Sequence, residues 1–586
     1  MLDYLRFRYR RQARRLKRDI RLWQRWSSNY IDRHIWGKWH QLGTNRRFLL
    51  AWWGIFAVAL IGLMSQYTSL LHYNRIIFAV AGGTYTEATM GDLKVLNPIL
   101  PGSSLEMSAN RLIFSGLTQY NNDRKLVGDL ATKWEVSTDG KVYTFHLRKG
   151  VKWQDGVPFT ATDVAFTLAA IQNPDSRSPL ASSWQGVKVD TKGDDTVVFT
   201  LPSPLDSFMD STTLGIVPRH ILESVEPSRL AEASFSTNPV GTGPFEIKTF
   251  SPAAREVTLS GYADYYNGKP KLDELILRSY EDSASGLDAF VSEQVNSPGR
   301  ITPETAVRAA QTNRLAIHHM TLPNETAIFF QNNFALFTDN TLRATLSRVI
   351  DRDAILKAAT DGSGLAVTQP ILPGQLGYTD NFAQSPLSVS AANKTLDEAG
   401  WKLPAGKWVR AKNSKQLSFE LVTVDVLEYK RAADEASRQW AQIGVEAKVK
   451  TVDMTDLQQS FMRPRNFQAL LFGMNLGADP DVYSFWHSSQ AKDPGVNLAS
   501  YSSTDADKAL ESGRIKSDPA VRQGKYAAFL RAWNADEPAV ILYQSGYDYG
   551  TVDTVRGIIA QRLVSPTDRY FGVEKWTVRT RWSDSK

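Results

Sequence analysis

The feature that most constrains this chain is an uncharged segment close to its N-terminus. Phe48 to Leu71 is a run of 24 residues without a formal charge. As a helix it would be about 36 Å long, enough to cross a hydrocarbon core of about 30 Å. Trp52 and Trp53 lie near its first end, where indole rings favour a membrane interface. The segment predicts one transmembrane helix over 48–71, and a buried core helix is the alternative.

The positive charge of the chain lies before this segment. The 586 residues include 68 Lys and Arg against 61 Asp and Glu, a net charge of +7. Residues 1–47 hold 14 of these bases and three acids, so they carry +11 and the remainder carries −4. This bias predicts a cytoplasmic tail over 1–47 and an extracytoplasmic body after residue 72, in a single-pass plasma-membrane protein. Nucleic acid is not expected as a partner.

Two alternatives concern this N-terminal region. Ala79-Val80-Ala81 fits the small-x-small pattern of signal-peptide cleavage. Cleavage there would cut the apolar run Ile76–Val80, which is expected as a first core strand, so an uncleaved signal anchor is preferred. The tail places Leu16, Ile20, Trp23 and Trp26 among its bases. It is either an amphipathic helix on anionic lipid or a solvated orientation signal, and both interpretations stay open.

The body mixes strands and helices throughout, which indicates an α/β fold. Alternating runs around Asp139-Gly140 and around Lys192-Gly193-Asp194 predict two hairpins. Helices are expected from Thr162 to Ile171 and from Thr341 to Ala359, where apolar residues recur at helical spacing.

A strand–helix–strand unit is expected further along the body. Leu417–Val424 is a strand, Glu428–Ile443 is a helix that Gly444 ends, and Val445–Val449 is a second strand. This order predicts parallel pairing of the two strands.

Catalytic and metal-binding motifs are absent from the sequence. The chain has no Cys, which excludes thiolate metal sites, cysteine nucleophiles and a lipid-modified cysteine. The eight His form no HExxH motif, and the adjacent His318 and His319 lie in an expected strand, where neighbours point to opposite faces. No P-loop, dinucleotide fingerprint or G-x-S-x-G elbow occurs. We therefore expect a binding protein without catalytic residues, cofactor or metal, and an extracytoplasmic hydrolase is the least favoured alternative.

Motifs in a fixed order carry a family resemblance. The segment Asp129–Trp153, continued to Phe166, resembles the signature of the family 5 extracellular solute-binding proteins, which are the dipeptide, oligopeptide and nickel receptors of ABC importers. The further matches, in chain order, are Asn238–Phe245, Leu342–Ile355, Leu396–Trp401, Trp440–Val445, Ala478–Asp481 and Glu537–Tyr543. The likeness covers about residues 76–580.

The resemblance implies a fold and a function. The fold is the two-lobed periplasmic-binding-protein (Venus flytrap) type of the large peptide-binding proteins, with lobe I at about 76–278 and 545–586 and lobe II at about 283–540. The function is a membrane-anchored receptor that closes over a peptide-like ligand and delivers it to an ABC permease and its ATPase subunits. Many relatives are tethered by a lipidated cysteine, and the 48–71 helix would replace it. A tethered sensor or scaffold that uses the same fold is the alternative.

The resemblance also places a ligand site between the lobes. The candidate residues follow the first body strand, a lobe II strand and the region of the D-P motif: Thr84, Tyr85, Thr86, Glu87, Asn332, Asn475, Leu476, Asp479, Tyr483 and Trp486. Taken singly, each of these side chains also fits a structural role.

Two charge anchors of the peptide-binding members are not found. In those members an Asp four residues before the Pro of the motif holds the ligand's α-amino group, and here the residue four before Pro480 is Leu476. Some dipeptide receptors also carry an Arg for the ligand carboxylate before the helix that matches 428–443, and Val424–Tyr429 contains no Arg. An apolar side chain cannot pair with an ammonium group, so the expected ligand is a longer peptide, a blocked peptide or another molecule.

Overall fold

The computed structural model describes residues 46–73, 75–205, 207–382, 385–514 and 518–584. The predicted basic tail, 1–47, lies outside these residues except for its last two positions. The chain divides into a unit of Met1–Phe78 with Arg581–Lys586 and a unit of Ala79–Thr580, and each is described by itself.

Among its described residues, the first unit contains one helix and a two-stranded sheet. Helix α1 is Arg46–Tyr73, and strand β1, Arg75–Val80, pairs with the last strand of the chain, β21, Arg579–Asp584. The strand expected at Ile76–Val80 is thus present, but its partner is β21 alone rather than a core sheet. Across the described residues, no helix combines the length and the apolar character that a membrane crossing requires. The transmembrane prediction for 48–71 therefore has no support from the structure.

The second unit contains the remaining elements. Its strands are β2 Thr84–Met90, β3 Thr118–Tyr120, β4 Leu126–Gly128, β5 Ala131–Val136, β6 Val142–Leu147, β7 Lys188–Thr191, β8 Thr196–Thr200, β9 Phe245–Ser251, β10 Glu256–Gly261, β11 Glu274–Tyr280, β12 Gly299–Ile301, β13 Leu315–Phe330, β14 Gly364–Ala366, β15 Ala411–Lys412, β16 Lys415–Gln416, β17 Ser418–Val424, β18 Glu446–Val452, β19 Ala469–Asn475 and β20 Ala539–Val552. Its α-helices are α2 Ser104–Ile113, α3 Ala161–Gln172, α4 Phe208–Ser211, α5 Arg219–Leu222, α6 Ser283–Val291, α7 Ala306–Ala310, α8 Asn340–Arg348, α9 Arg352–Thr360, α10 Val389–Glu398, α11 Leu427–Ala441, α12 Met454–Asp456, α13 Tyr483–Trp486, α14 Thr504–Arg514 and α15 Pro519–Asp536.

The first half of this unit is built on two four-stranded sheets. Their orders are β2-β11-β10-β9 and β5-β6-β8-β7. Both predicted hairpins are confirmed, since β5 pairs antiparallel with β6 and β7 with β8. On β6 every second side chain, Tyr143, Phe145 and Leu147, is buried, which is the alternation of a strand with one face on a core. These three side chains belong to one large hydrophobic cluster, and we call the part of the chain packed around that cluster lobe I.

A larger sheet forms the centre of the second half, lobe II. Its order is β12-β20-β13-β19-β17-β18, with β14 on β20. The predicted strand–helix–strand unit is confirmed, because β17 and β18 pair in parallel around α11. Ala432, Ala436 and Trp440 recur at helical spacing on α11 and are fully buried. Gly444 follows the helix at φ +74°, a left-handed conformation that glycine adopts without strain.

Side chains on the two faces of this sheet enter different hydrophobic clusters. On β13, Ala327 and Phe329 join the cluster that α14 and α15 cover, whereas Ile328 and Phe330 join the cluster that α8, α9 and α11 cover. Lobe II is therefore a three-layer α/β/α structure whose strands are buried on both faces.

Two long strands connect the lobes. On β13 and β20, Leu315–Met320 pairs with Tyr547–Val552 inside the lobe I cluster, and Thr326–Phe329 pairs with Ala539–Tyr543 inside lobe II. The register shifts between Thr321 and Glu325. We call 321–325 together with 544–546 the strand crossing.

The core clusters differ from the sequence-based lobe bounds in one segment. Leu287, Phe290, Met320 and Leu322 pack in the lobe I cluster, although the bounds given above assign 283–540 to lobe II. The first strand of the strand crossing, 321–325, therefore lies some 40 residues after residue 283, where those bounds begin lobe II.

The single helix predicted from Thr341 to Ala359 is wrong. The structure has α8 and α9, because Asp351 is extended (φ −80°, ψ 98°) and its carboxylate accepts a hydrogen bond from the Ala354 N–H as an N-cap. The helix predicted with Thr162 as its cap is α3, which runs from Ala161 to Gln172 and has Thr160 as its N-cap.

Candidate binding site

A buried ion pair joins Glu87 of β2 to Arg569. The Glu87 carboxylate is 2.6 Å from a guanidinium nitrogen of Arg569, and both side chains are almost completely buried. The Tyr549 hydroxyl donates to the other Glu87 oxygen at 2.6 Å. Burial alone would lower the pKa of Arg569, but Glu87 and the surrounding tyrosines raise it well above its usual value, so this residue stays a cation.

A cavity of about 160 Å³ opens next to this pair. Its walls are the end of β2, the first turns of α2 and α6, β12, Tyr547 and the segment Ser565–Arg569. Because β2 and β11 run in parallel, the cavity lies outside the carboxyl ends of parallel strands, the position where open α/β sheets bind ligands.

Arg300 on β12 joins this cavity to lobe II. Its guanidinium lies 5.7 Å from the centre of the Tyr547 ring. A second, smaller cavity is lined by Arg300 from lobe I, by Glu428 and Ser363 from lobe II, and by the strand crossing. The two lobes thus face each other across Arg300.

The lobe II side carries a carboxyl and two phenols. The Tyr543 hydroxyl donates to the Glu428 carboxylate at 3.0 Å. Burial raises the pKa of Glu428, while this hydrogen bond and the positive charge of Arg300 lower it again in part. Burial and the neighbouring Glu428 raise the pKa of Tyr429 to about 12. We call Glu428, Tyr429 and Tyr543 the Glu428 edge of lobe II, and its Glu428 lines the small cavity together with Arg300.

Glu325 is a second unusual carboxyl group at the strand crossing. Its side chain is fully buried, and among the described residues neither of its carboxyl oxygens has a hydrogen-bond partner. In the ladder it is opposite Met474 on one side and Gln544 on the other. Burial raises its pKa well above the usual value. Burial therefore favours the protonated, neutral form of this group.

The first group of candidate residues is divided between the cavity and its supports. Glu87 lines the cavity, and Tyr85 stands behind it, fully buried, with its hydroxyl 2.5 Å from that of Tyr549. The backbone N–H of Thr86 donates to the Asn296 side chain at 2.8 Å, and Thr84 is exposed at the start of β2. Their role as ligand contacts stays a prediction.

The candidates in lobe II mostly have structural partners. The carboxylate of Asp479 accepts two hydrogen bonds from Arg522, at 2.7 and 2.9 Å. Leu476 is buried and its N–H donates to the Pro323 carbonyl. The exposed Asn475 accepts from the Gly477 N–H.

Three further candidates lie away from the lobe I cavity. Tyr483 stacks on His487 at 4.1 Å and under Arg514 at 4.2 Å. Trp486 is fully buried in the lobe II core. The Asn332 amide donates to the Ala499 carbonyl at 2.8 Å, at the far end of β13 from the strand crossing. Ligand contact by these residues also stays a prediction.

Sequence reasoning missed Arg300, Glu428, Tyr547 and Arg569. Nothing local distinguishes them, because they come from distant parts of the chain. Arg300 and Tyr547 meet through the pairing of β12 with β20, Glu428 lies on α11, and Arg569 lies in the segment Ser565–Arg569. Glu325 did carry a signal, since it is a lone acidic residue at the start of the apolar strand segment that continues to Phe330. Among the described residues, no cluster of three or more His, Asp and Glu is placed to hold a metal ion.

Comparison with known proteins gives a consistent result. The family model of the bacterial extracellular solute-binding proteins, family 5, matches residues 125–497. The oligopeptide-binding protein AppA of Bacillus subtilis is 27% identical over 506 residues, which cover 84% of this chain and 91% of that protein.

Two solved structures share the fold. AppA of Bacillus subtilis in complex with a nonapeptide has a TM-score of 0.64 at 25% identity, over 86% of this chain and all of that one. NikZ of Campylobacter jejuni in complex with Ni(L-His) has a TM-score of 0.67 at 25% identity, over 84% of this chain and 99% of that one. Members of this family are binding proteins rather than enzymes. Because the family model matches more than half of the residues, the chain belongs to the bacterial extracellular solute-binding proteins, family 5.

Proposed function

We propose that this protein is an extracytoplasmic receptor that captures a peptide-like ligand between its lobes and delivers it to the permease of an ABC importer. The observation that carries the proposal is the cavity at the carboxyl ends of β2 and β11, which shares Arg300 with the small cavity that Glu428 of lobe II and the strand crossing line. The oligopeptide-binding relative supports a peptide as the ligand class.

Closure around the strand crossing is the proposed means of capture. In the described ranges of the chain, β13 and β20 are the two strands that pass between the cores, so a change of backbone angles at 321–325 and 544–546 moves one lobe against the other. A ligand that contacts both Arg300 and the Glu428 edge stabilises the closed arrangement, because it makes both contacts at once only when the lobes are closed.

A binding experiment with a blocked cavity tests this function. The full-length chain, purified in mild detergent, is incubated with a library of tetrapeptides to octapeptides, and retained peptides are identified by native mass spectrometry. Met107 lines the cavity and is 41% exposed, so Met107→Trp fills the space without disturbing the core. Val136, 40% exposed on β5 and outside the cavity, provides the control Val136→Trp.

We expect the wild type and Val136→Trp to retain the same peptides and Met107→Trp to lose at least about tenfold in affinity, equivalent to about 1.4 kcal/mol. Failure of the wild type to retain any peptide, or equal binding by Met107→Trp, contradicts the proposed function.

We also propose that Phe48–Leu71 anchors the receptor in the plasma membrane with residues 1–47 in the cytoplasm. This part of the proposal is supported by the sequence alone, through the uncharged run and the +11 charge before it. Its test is alkaline extraction of membranes that contain the full-length chain or a variant that lacks 48–71. Retention of the full-length chain and release of the deletion variant are expected, and release of both refutes the anchor.

A further inference from the structure

We propose that Arg300 binds a carboxylate group of the ligand, so that this receptor selects ligands with a free carboxylate that enters the lobe I cavity. The inference rests on the proposed function, because it names the chemistry by which the same site recognises its ligand. Arg300 would also supply the cation for a ligand carboxylate that residues 424–429 lack.

Within the described part of the chain, the half-buried Arg300 differs from the buried arginines in having no polar partner. Arg343, Arg352, Arg410, Arg522 and Arg569 all donate hydrogen bonds to carbonyl or carboxylate oxygens. Among the described residues Arg300 has neither a hydrogen bond nor an ion pair, and its buried Nε has no acceptor. A guanidinium N–H that is withdrawn from water without an acceptor is unfavourable, and a ligand oxygen would satisfy it.

The geometry of Arg300 prepares it for a planar anion. The Tyr547 ring supports the guanidinium at 5.7 Å, which limits the number of conformations that the side chain must give up on binding. The fork of N–H groups of an arginine matches the two oxygens of a carboxylate.

The acidic groups near the cavity already have partners. Glu87 is paired with Arg569 at 2.6 Å. Asp282 caps α6, accepting from the Ser285 N–H at 2.8 Å. The Glu428 carboxylate accepts from Tyr543 and forms no ion pair with Arg300. Arg300 acts on Glu428 through its charge but has no carboxylate in hydrogen-bond contact among the described residues, and a ligand carboxylate would supply that contact.

The cavity admits only part of a peptide. Its volume is about 160 Å³, whereas sites that enclose a whole small molecule measure roughly 300–1,000 Å³. Met90 and Met107 provide apolar walls, and Ser104 and Ser283 provide hydroxyls. This combination fits one residue-sized group that carries a carboxylate, with the rest of the ligand outside, towards lobe II.

The test uses tetrapeptide libraries free of Asp and Glu, prepared with either a free or an amidated C-terminus. A third, amidated library contains one Asp per peptide and distinguishes a side-chain carboxylate from a C-terminal one. Binding to the full-length chain in detergent is measured for the wild type, Arg300→Gln and Arg300→Lys. The control is Arg314→Gln, which removes an exposed arginine paired with Glu293 in the same lobe. Thermal unfolding of each variant verifies folding.

We expect the wild type and Arg314→Gln to bind the free acids, or the Asp-containing amides, at least about tenfold more tightly than the acid-free amides. Arg300→Gln should lose this discrimination and Arg300→Lys should keep part of it. If the wild type binds peptides without preferring a carboxylate, or Arg300→Gln keeps the preference, the role of Arg300 is overturned while the proposed function stands. If the wild type binds no library, the proposed function fails and the carboxylate site fails with it.

Discussion

Replacement of Glu325 by Gln tests the neutral buried carboxyl group at the strand crossing. Burial is the single cause of its raised pKa, so no neighbouring charge complicates the interpretation. Gln has nearly the same shape and cannot ionise. Any cost of burying the amide is constant with pH, so the informative quantity is the change of stability with pH.

The sign follows from proton binding in the two states. Above a pH of about 4.5, the unfolded chain releases the Glu325 proton while the folded protein keeps it. The folded state then binds more protons, so the free energy of unfolding falls as the pH rises. The loss is about 1.4 kcal/mol per pH unit, and it continues up to the raised pKa of the folded state.

Urea unfolding of the full-length chain from pH 5 to 7.5 measures this slope. We expect the stability of Glu325→Gln, relative to the wild type, to improve as the pH rises above the unfolded-state pKa, by up to about 1.4 kcal/mol for each pH unit. Glu293→Gln, which removes an exposed carboxylate in lobe I, is the control and should leave the slope of the wild type unchanged. Parallel pH profiles for Glu325→Gln and the wild type refute the assignment of a neutral Glu325.

Three further substitutions test the supports of the site. Arg569→Met leaves the buried Glu87 without its cation and should lower the free energy of urea unfolding by about 3–5 kcal/mol. The double variant Arg569→Met with Glu87→Met should recover most of this loss. Equal losses in the single and double variants contradict a buried ion pair. Asp479→Ala removes two hydrogen bonds from the buried Arg522 and should lower the free energy of unfolding by about 2 kcal/mol, and a change below about 0.5 kcal/mol shows that the pair is not structural. Gly364→Ala should lower the free energy of unfolding by at least about 2 kcal/mol, because φ is +118° there and a Cβ would lie 2.4 Å from a carbonyl oxygen of β20. A thermal unfolding temperature equal to that of the wild type contradicts this packing at the strand crossing.

The elements predicted well from the sequence are those with local signals. Asp139-Gly140 defines the β5–β6 hairpin because a two-strand turn needs residues that accept unusual backbone angles. Gly444 ends α11 for the same reason. The break between α8 and α9 was missed because apolar spacing continues across it, while the Asp351 side chain competes for the backbone N–H groups and begins a new helix.

The site was harder to predict than the fold because its residues meet through distant pairing. Arg300 and Tyr549 are ladder partners although about 250 residues separate them, and neither has a distinctive sequence neighbourhood. The D-P region was recognised, but Asp479 is paired with Arg522. Of the candidate residues, Glu87 is the one that lines the lobe I cavity. Motif order therefore identified the family, whereas the pairing of β12 with β20 brings Arg300 and Tyr547 together.

Ligand-dependent closure is the measurement that tests two-lobed capture most directly. The chain has no Cys, so single cysteines at the exposed Lys192 of lobe I and Lys407 of lobe II accept spin labels at these two positions alone. Pulsed electron–electron double resonance then gives the distribution of distances between the two spin labels, one on each lobe, in the full-length chain. We expect addition of the peptide library to change this distribution to a single narrower population, and Arg300→Gln to need more peptide for the same change. A distribution that stays the same at saturating peptide contradicts capture by closure.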